Sequence, residues 1–137
     1  MSSFTSPLEL EYIDGKSWLL KAPFVYELGS LGSGISITVP EFFVTDFASI
    51  PRGLWNLFPP TGEYGKAAVI HDYLYRRGYI EDHGKFRYPD RGEVDAIFRD
   101  ASAVLGVNRA TRWTMWLALR GAGWSAWNKG HAGVKHE

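Results

Sequence analysis

Apolar and polar side chains alternate or cluster in short runs through the first third of the chain, at residues 8–12, 17–21, 24–28, 35–39 and 43–45. Period-two patterning of that length predicts strands, and Asp14-Gly15, Pro23 and the glycines at 29–34 supply the turns between them. A short antiparallel meander over residues 7–45 is the expected result. Residues 46–65, rich in proline and glycine, are expected to form an ordered loop lining a cleft. From residue 66 the period changes to that of helices.

Residues 66–77 read as a helix with Ala67, Ala68, His71, Leu74 and Tyr75 on one face and Arg76 and Arg77 turned away from it. A second helix is announced by Asp90 as N-cap with Glu93 three positions on, an approximate capping box, and it runs to about residue 105 before Gly106. Its apolar stripe is Val94, Phe98, Ala101 and Leu105, with Asp95 and Ser102 at the edge. In a third helical segment Arg109, Trp113, Trp116 and Arg120 share one stripe, opposite Met115, Ala118, Leu119 and Ala122. Strands first and helices afterwards define an α+β fold: an N-terminal antiparallel meander, then three helical segments containing an antiparallel helix pair. One domain over residues 1–137 is expected, β-rich at 7–45, helical at 66–128, with a flexible tail at 130–137.

Composition narrows the functional classes. The 137 residues contain no cysteine, which excludes disulfides, thiolate nucleophiles and cysteine-ligated metals. No signal-peptide pattern and no transmembrane run is read from the sequence. Net charge is zero, so a broad phosphate-binding footprint is not expected and nucleic acid is a poor candidate partner. The charge is nevertheless uneven: residues 106–137 hold five Lys/Arg against the single acid Glu137. Four of the six tryptophans lie in that part of the chain. The Arg109/Trp113/Trp116/Arg120 stripe therefore reads either as a docking surface, for another protein or for anionic lipid, or as tryptophans packed on the strands with snorkelling arginines.

The candidate chemistry lies in His71-Asp72-Tyr73-Leu74-Tyr75 and in Asp95. If the first two helices pack antiparallel through Ala67 and Ala68, Asp95 can reach the ring of His71, fixing its tautomer so that one nitrogen donates to the carboxylate and the other accepts a proton from water. The same pair reads equally as a buried histidine satisfied by a core carboxylate. Asp72, one step round the helix, is placed to hold a cation beside the histidine. In residues 45–52, Asp46 is a candidate cation contact and Arg52 a candidate phosphate or carboxylate contact. Ser49 and Ser102 lack a nucleophile-elbow motif, so activated water is the expected nucleophile. Zinc is not expected: there is no His-Glu-x-x-His, and His131 and His136 fall near the C-terminus.

The His-Asp-x-x-Tyr run with a distant Asp resembles the active site of the phospholipase A2 superfamily. That resemblance implies His71 as general base for a water, Asp72 as calcium ligand, and Tyr75 with Asp95 as the pair bracing the histidine; it covers about thirty-five residues. The chain departs from the pattern in lacking cysteines and in having only Pro60-Thr61-Gly62-Glu63-Tyr64-Gly65 where a glycine-rich calcium loop would be. A second resemblance spans nearly the whole chain. Val39 to Arg52, with its Thr-Asp-Phe-Ala-Ser-Ile-Pro-Arg run, then Ala67 to Tyr75, Asp95 and Phe98 resemble a family of small proteins of unassigned function from tailed bacteriophages and prophages. It implies a phage origin, with residence in the host cytoplasm during infection or association with the virion. The expected function is a hydrolase acting on ester or related bonds; the alternative is a noncatalytic tail, assembly or host-interaction protein.

Overall fold

The computed structural model describes residues 3–4, 6–13, 17–30, 32–47, 50, 53 and 65–131. The α+β class holds, with most strands preceding the helices and one hairpin set between the first two helices, but the strands divide between two sheets where one meander is expected. β1 (Ser3–Phe4), β4 (Phe24–Glu27), β5 (Ile35–Val39), β7 (Ile80–Asp82) and β8 (Lys85–Arg87) form a five-stranded sheet in that order. β2 (Leu10–Tyr12), β3 (Trp18–Leu20) and β6 (Val44–Thr45) form a three-stranded sheet. All pairings are antiparallel. Alternation specifies which residues are strands and which face they bury; it does not specify partners. β3 takes β6, in register Trp18 to Thr45, and leaves β4 to the other sheet.

The β7–β8 hairpin falls inside residues 78–89, expected only to break helices. Its turn is His83-Gly84, both at positive φ, which matches the right-handed twist of the flanking strands. The hairpin docks through His83 N–H, which donates to the Gly34 carbonyl at 2.8 Å. Gly34 is required there: its φ is +87°, and a β-carbon would lie 2.9 Å from the His83 ring.

The helices are α1 (Gly65–Tyr75), α2 (Arg91–Val104), α3 (Arg109–Ala122) and α4 (Trp124–Gly130). Asp90 caps α2 as expected, its carboxylate accepting from Glu93 N–H at 2.8 Å, and Asn108 caps α3 through Thr111 N–H. α1 closes with Arg77 in the left-handed region and Gly78 N–H reaching back to the Tyr73 carbonyl. Unlike the one-faced helix expected, α1 is buried all round except at Lys66. It runs through the core, packing against α2, β5, β6 and α4. Apolar residues from the sheets and from α1–α3, among them Leu20, Phe24, Ile37, Ile70, Phe98 and Leu119, form one cluster around it.

The third helical segment continues beyond expectation. Gly123, in right-handed helical conformation, joins α3 to α4. Gly130, where a flexible tail is expected to begin, is the last residue of α4 and packs against the Tyr75 backbone so closely that a β-carbon would have no room. α4 therefore closes over the end of α1.

Candidate functional site

α1 and α2 bring the sequence-predicted pair together in the core. His71 Nε2 lies 2.9 Å from Asp95 Oδ1, and Tyr75 donates its hydroxyl to that same oxygen at 2.7 Å. All three side chains belong to the interior: His71 and Asp95 are 0% exposed and Tyr75 is 1%. One helical turn separates His71 from Tyr75, so both point to the same side of α1 and their rings lie 4.1 Å apart between centroids. Phe98, one turn beyond Asp95, closes on the histidine edge-on at 5.1 Å.

The second oxygen of Asp95 is held by arginines. Arg120 of α3 donates from Nη1 to Oδ2 at 3.1 Å, and Arg91, one turn before Asp95, stands at 3.7 Å. Arg91 also donates to the carbonyls of Leu119 and Arg120, fastening α2 to the last turn of α3. Burial alone would raise the Asp95 pKa, but hydrogen bonds from His71, Tyr75 and Arg120, with the charge of His71, outweigh it and hold the carboxyl below its ordinary range. The Tyr75 hydroxyl is pushed well above its ordinary pKa by burial, then by the adjacent carboxylate. An ionised Asp95 facing Nε2 makes Nε2 the donor nitrogen, so the tautomer this contact selects carries its lone pair on Nδ1.

Asp72 lies beside this network with a different set of neighbours. It is 1% exposed and accepts from Thr45 Oγ1 at 2.7 Å. Arg76, one turn on, places Nη2 3.5 Å from Asp72 and 2.6 Å from Asp46, and its Nη1 donates to the Val44 carbonyl at 2.7 Å. A guanidinium thus bridges the two carboxylates assigned to a cation. Among the described residues no group of three or more His, Asp or Glu converges as a metal shell would. Calcium asks for six to eight oxygens, so the described donors fall short of it, while residues 60–64 and Arg52 lie outside the described residues.

A cleft of about 350 Å³ lies between α1 and α4, lined by Asp46, Asp72, Tyr75, Arg76, Lys129 and neighbouring backbone. It meets the network through Asp72 and Tyr75, with His71 one layer behind.

The expected Arg/Trp stripe on α3 divides. Arg120 turns into the Asp95 network, Arg109 is exposed, Trp113 is 42% exposed and Trp116 is half-buried. On the opposite side Met115 and Leu119 are core, but Ala118 is only half-buried and Ala122 is exposed. Sequence reading missed Arg91, Thr45, Arg76 and Lys129 as neighbours of the site. The i,i+4 spacings Arg91/Asp95 and Asp72/Arg76 carried a signal for two of them; Thr45 and Lys129 carried none.

An α+β domain with a buried His-Asp-Tyr network between two helices is the class these features define. The chain belongs to the DUF1353 family, described as a protein of unknown function, whose profile matches residues 18–119. Neither a curated protein nor a solved structure matched the chain.

Proposed function

We propose that the chain is a hydrolase of ester or related bonds in which His71 activates water. The observation that carries this reading is the joint hold on Asp95 Oδ1 by His71 Nε2 and Tyr75 Oη. That hold orients the imidazole and selects its tautomer, and the proposed base is Nδ1. In the proposed step Nδ1 takes a proton from water, the hydroxide oxygen bonds to the acyl carbon, and the proton passes to the departing alkoxide as the carbon–oxygen bond breaks. Asp95 stabilises the transient imidazolium without accepting its proton. Lys129, which lines the neighbouring cleft, supplies a positive charge on the side where an anionic substrate would lie.

The resemblance to phage proteins belongs to the same proposal: a phage-encoded enzyme present in the host cytoplasm or carried with the virion. The experiment is release of acid from p-nitrophenyl esters and from phospholipid vesicles, comparing wild type with His71→Gln and recording thermal melts of both. Hydrolysis by the wild type that disappears in a folded His71→Gln is the expected result. A chelator arm belongs in the same assay, since loss of activity restored by calcium would give Asp72 the cation role.

A second reading is favoured by the complete burial of His71 and Asp95: the network is a lock between α1, α2 and α3 in a noncatalytic phage tail, assembly or host-interaction protein. Wild type without hydrolysis, together with a loss of roughly 1–3 kcal/mol in His71→Gln, is the outcome that selects it.

A further inference from the structure

α3 and α4 carry a row of large apolar side chains that the chain's own core does not cover. Trp113 is 42% exposed, Leu117 63% and Trp124 59%, spaced by four and seven residues so that they follow one side of a nearly continuous helix through Gly123. Met115 and Leu119, on the opposite side, are fully buried in the core. The two faces of α3 are therefore both apolar, and only one of them is used.

Cations border the unused face. Arg109 is exposed beside it, and Arg99 of α2 stacks its guanidinium over Trp113, 4.2 Å from the ring centroid, and stands 5.2 Å from that of Trp116. From residue 106 through 131 the chain has no acid, while Arg109, Arg112 and Lys129 lie in that stretch beside Arg120, whose charge is spent on Asp95. A surface with guanidiniums at the rim and tryptophan and leucine at the centre is complementary to a layer that is anionic outside and hydrocarbon beneath.

We infer that this face of α3–α4 docks on an anionic lipid bilayer surface, with Trp113, Leu117 and Trp124 entering the headgroup boundary and Arg99 and Arg109 meeting lipid phosphates. The alternatives fit less of the face. A nucleic-acid strand would use the arginines and tryptophans but leave Leu117, the most exposed of the row, against water. A symmetric contact with a second copy would bring two acid-free stretches, each with Arg109 and Arg112, into one interface with no carboxylate of that stretch to offset them. The inference is independent of whether His71 is catalytic, because Arg99, Arg109, Trp113, Leu117 and Trp124 make no hydrogen bond or ion pair with His71, Asp95 or Tyr75 among the described contacts.

The test is flotation of the intact chain with vesicles of phosphatidylcholine alone and of phosphatidylcholine containing phosphatidylglycerol, with tryptophan emission read in parallel. The wild type is expected to float with the anionic vesicles, with blue-shifted emission, and to remain in solution with the neutral ones. Arg109→Glu is expected to weaken anionic binding about fivefold or more. Leu117→Ser combined with Trp124→Ala should abolish the blue shift while leaving the melting temperature unchanged. Absence of vesicle binding, equal binding to both compositions, or binding unaltered in a folded Leu117→Ser/Trp124→Ala variant would each overturn the inference. So would an elution volume that reports self-association lost in that variant, or single-stranded DNA binding in place of vesicle binding. Ester hydrolysis plays no part in these readings, so they stand or fall separately from the proposed activity.

Discussion

Arg120 Nη1 lies 3.1 Å from Asp95 Oδ2, the oxygen opposite the one that His71 and Tyr75 share. A side chain from α3 thereby completes a site otherwise built from α1 and α2. The two partners are unequal: Asp95 is fully buried, whereas the Arg120 side chain is 36% exposed. Arg120→Gln should consequently lose no more than about 1 kcal/mol, since the solvent-facing end of the pair is screened. Asp95→Asn should lose more, about 1.5–3 kcal/mol, because it takes the ionised acceptor away from His71, Tyr75 and Arg120 at once and brings an amide donor in among them. Urea unfolding of the two variants checks the order; equal losses would show that Arg120 is as essential to the network as the carboxylate.

Tyr75→Phe keeps the ring that packs against His71 and, edge-on at 5.2 Å, against Trp127, and removes only the hydroxyl. The expected cost is about 0.5–1.5 kcal/mol, that of one hydrogen bond from an acceptor that keeps its other donors. If His71 is the base, ester hydrolysis should fall while KM stays unchanged, because the hydroxyl orients the imidazole through Asp95 and does not bind substrate. A change confined to KM would place Tyr75 in substrate contact instead.

Helical phase made the centre of this site legible. Positions 71 and 75 on α1, and 95 at the rim of the α2 stripe, point where the period sends them, and short side chains such as Asp95 have little freedom to go elsewhere. Arg120 obeys the same phase and belongs to the expected Arg109/Trp113/Trp116 side of α3, but its length lets the guanidinium reach back to Asp95. Phase does not fix the destination of a long side chain. Thr45 reaches Asp72 across 27 positions because β6 joins β3, a pairing that alternation leaves open. The β7–β8 hairpin was hidden by its charges: Glu81, Asp82, Lys85 and Arg87 leave few apolar positions from which to read a strand, although His83-Gly84 carried a turn signal.

The pKa directions fix how stability responds to pH. Asp95 is held below its ordinary range in the folded chain. Its contribution is therefore fully present above the unfolded value of about 3.9 and is lost as pH falls through the lower folded value. Tyr75 is shifted upward, so its contribution is present below about pH 10 and is lost as pH rises beyond that. Urea midpoints followed across pH should slope down at both ends. Asp95→Asn should flatten the acid limb and Tyr75→Phe the alkaline limb; an acid limb identical in wild type and Asp95→Asn would assign acid unfolding to other carboxylates.

Asp72 tests how a buried carboxylate beside the histidine is held. Thr45 Oγ1 donates to it at 2.7 Å and itself accepts from Phe47 N–H at 3.2 Å, so Thr45→Val withdraws a donor from Asp72 and an acceptor from Phe47 at once. Both groups are buried, and the expected loss is about 1–3 kcal/mol. Arg76 stands farther from Asp72, at 3.5 Å, and its close partner Asp46 is 40% exposed, so that pair is worth at most about 1 kcal/mol. Arg76→Gln should accordingly cost less than Thr45→Val. The two changes share Asp72 and should not add: with Thr45 gone the carboxylate depends more on the guanidinium, and the double variant should lose more than the sum of the single losses. A urea double-mutant cycle measures this directly. Strict additivity would mean that Arg76 serves Asp46 and the Val44 carbonyl alone and contributes nothing to holding Asp72.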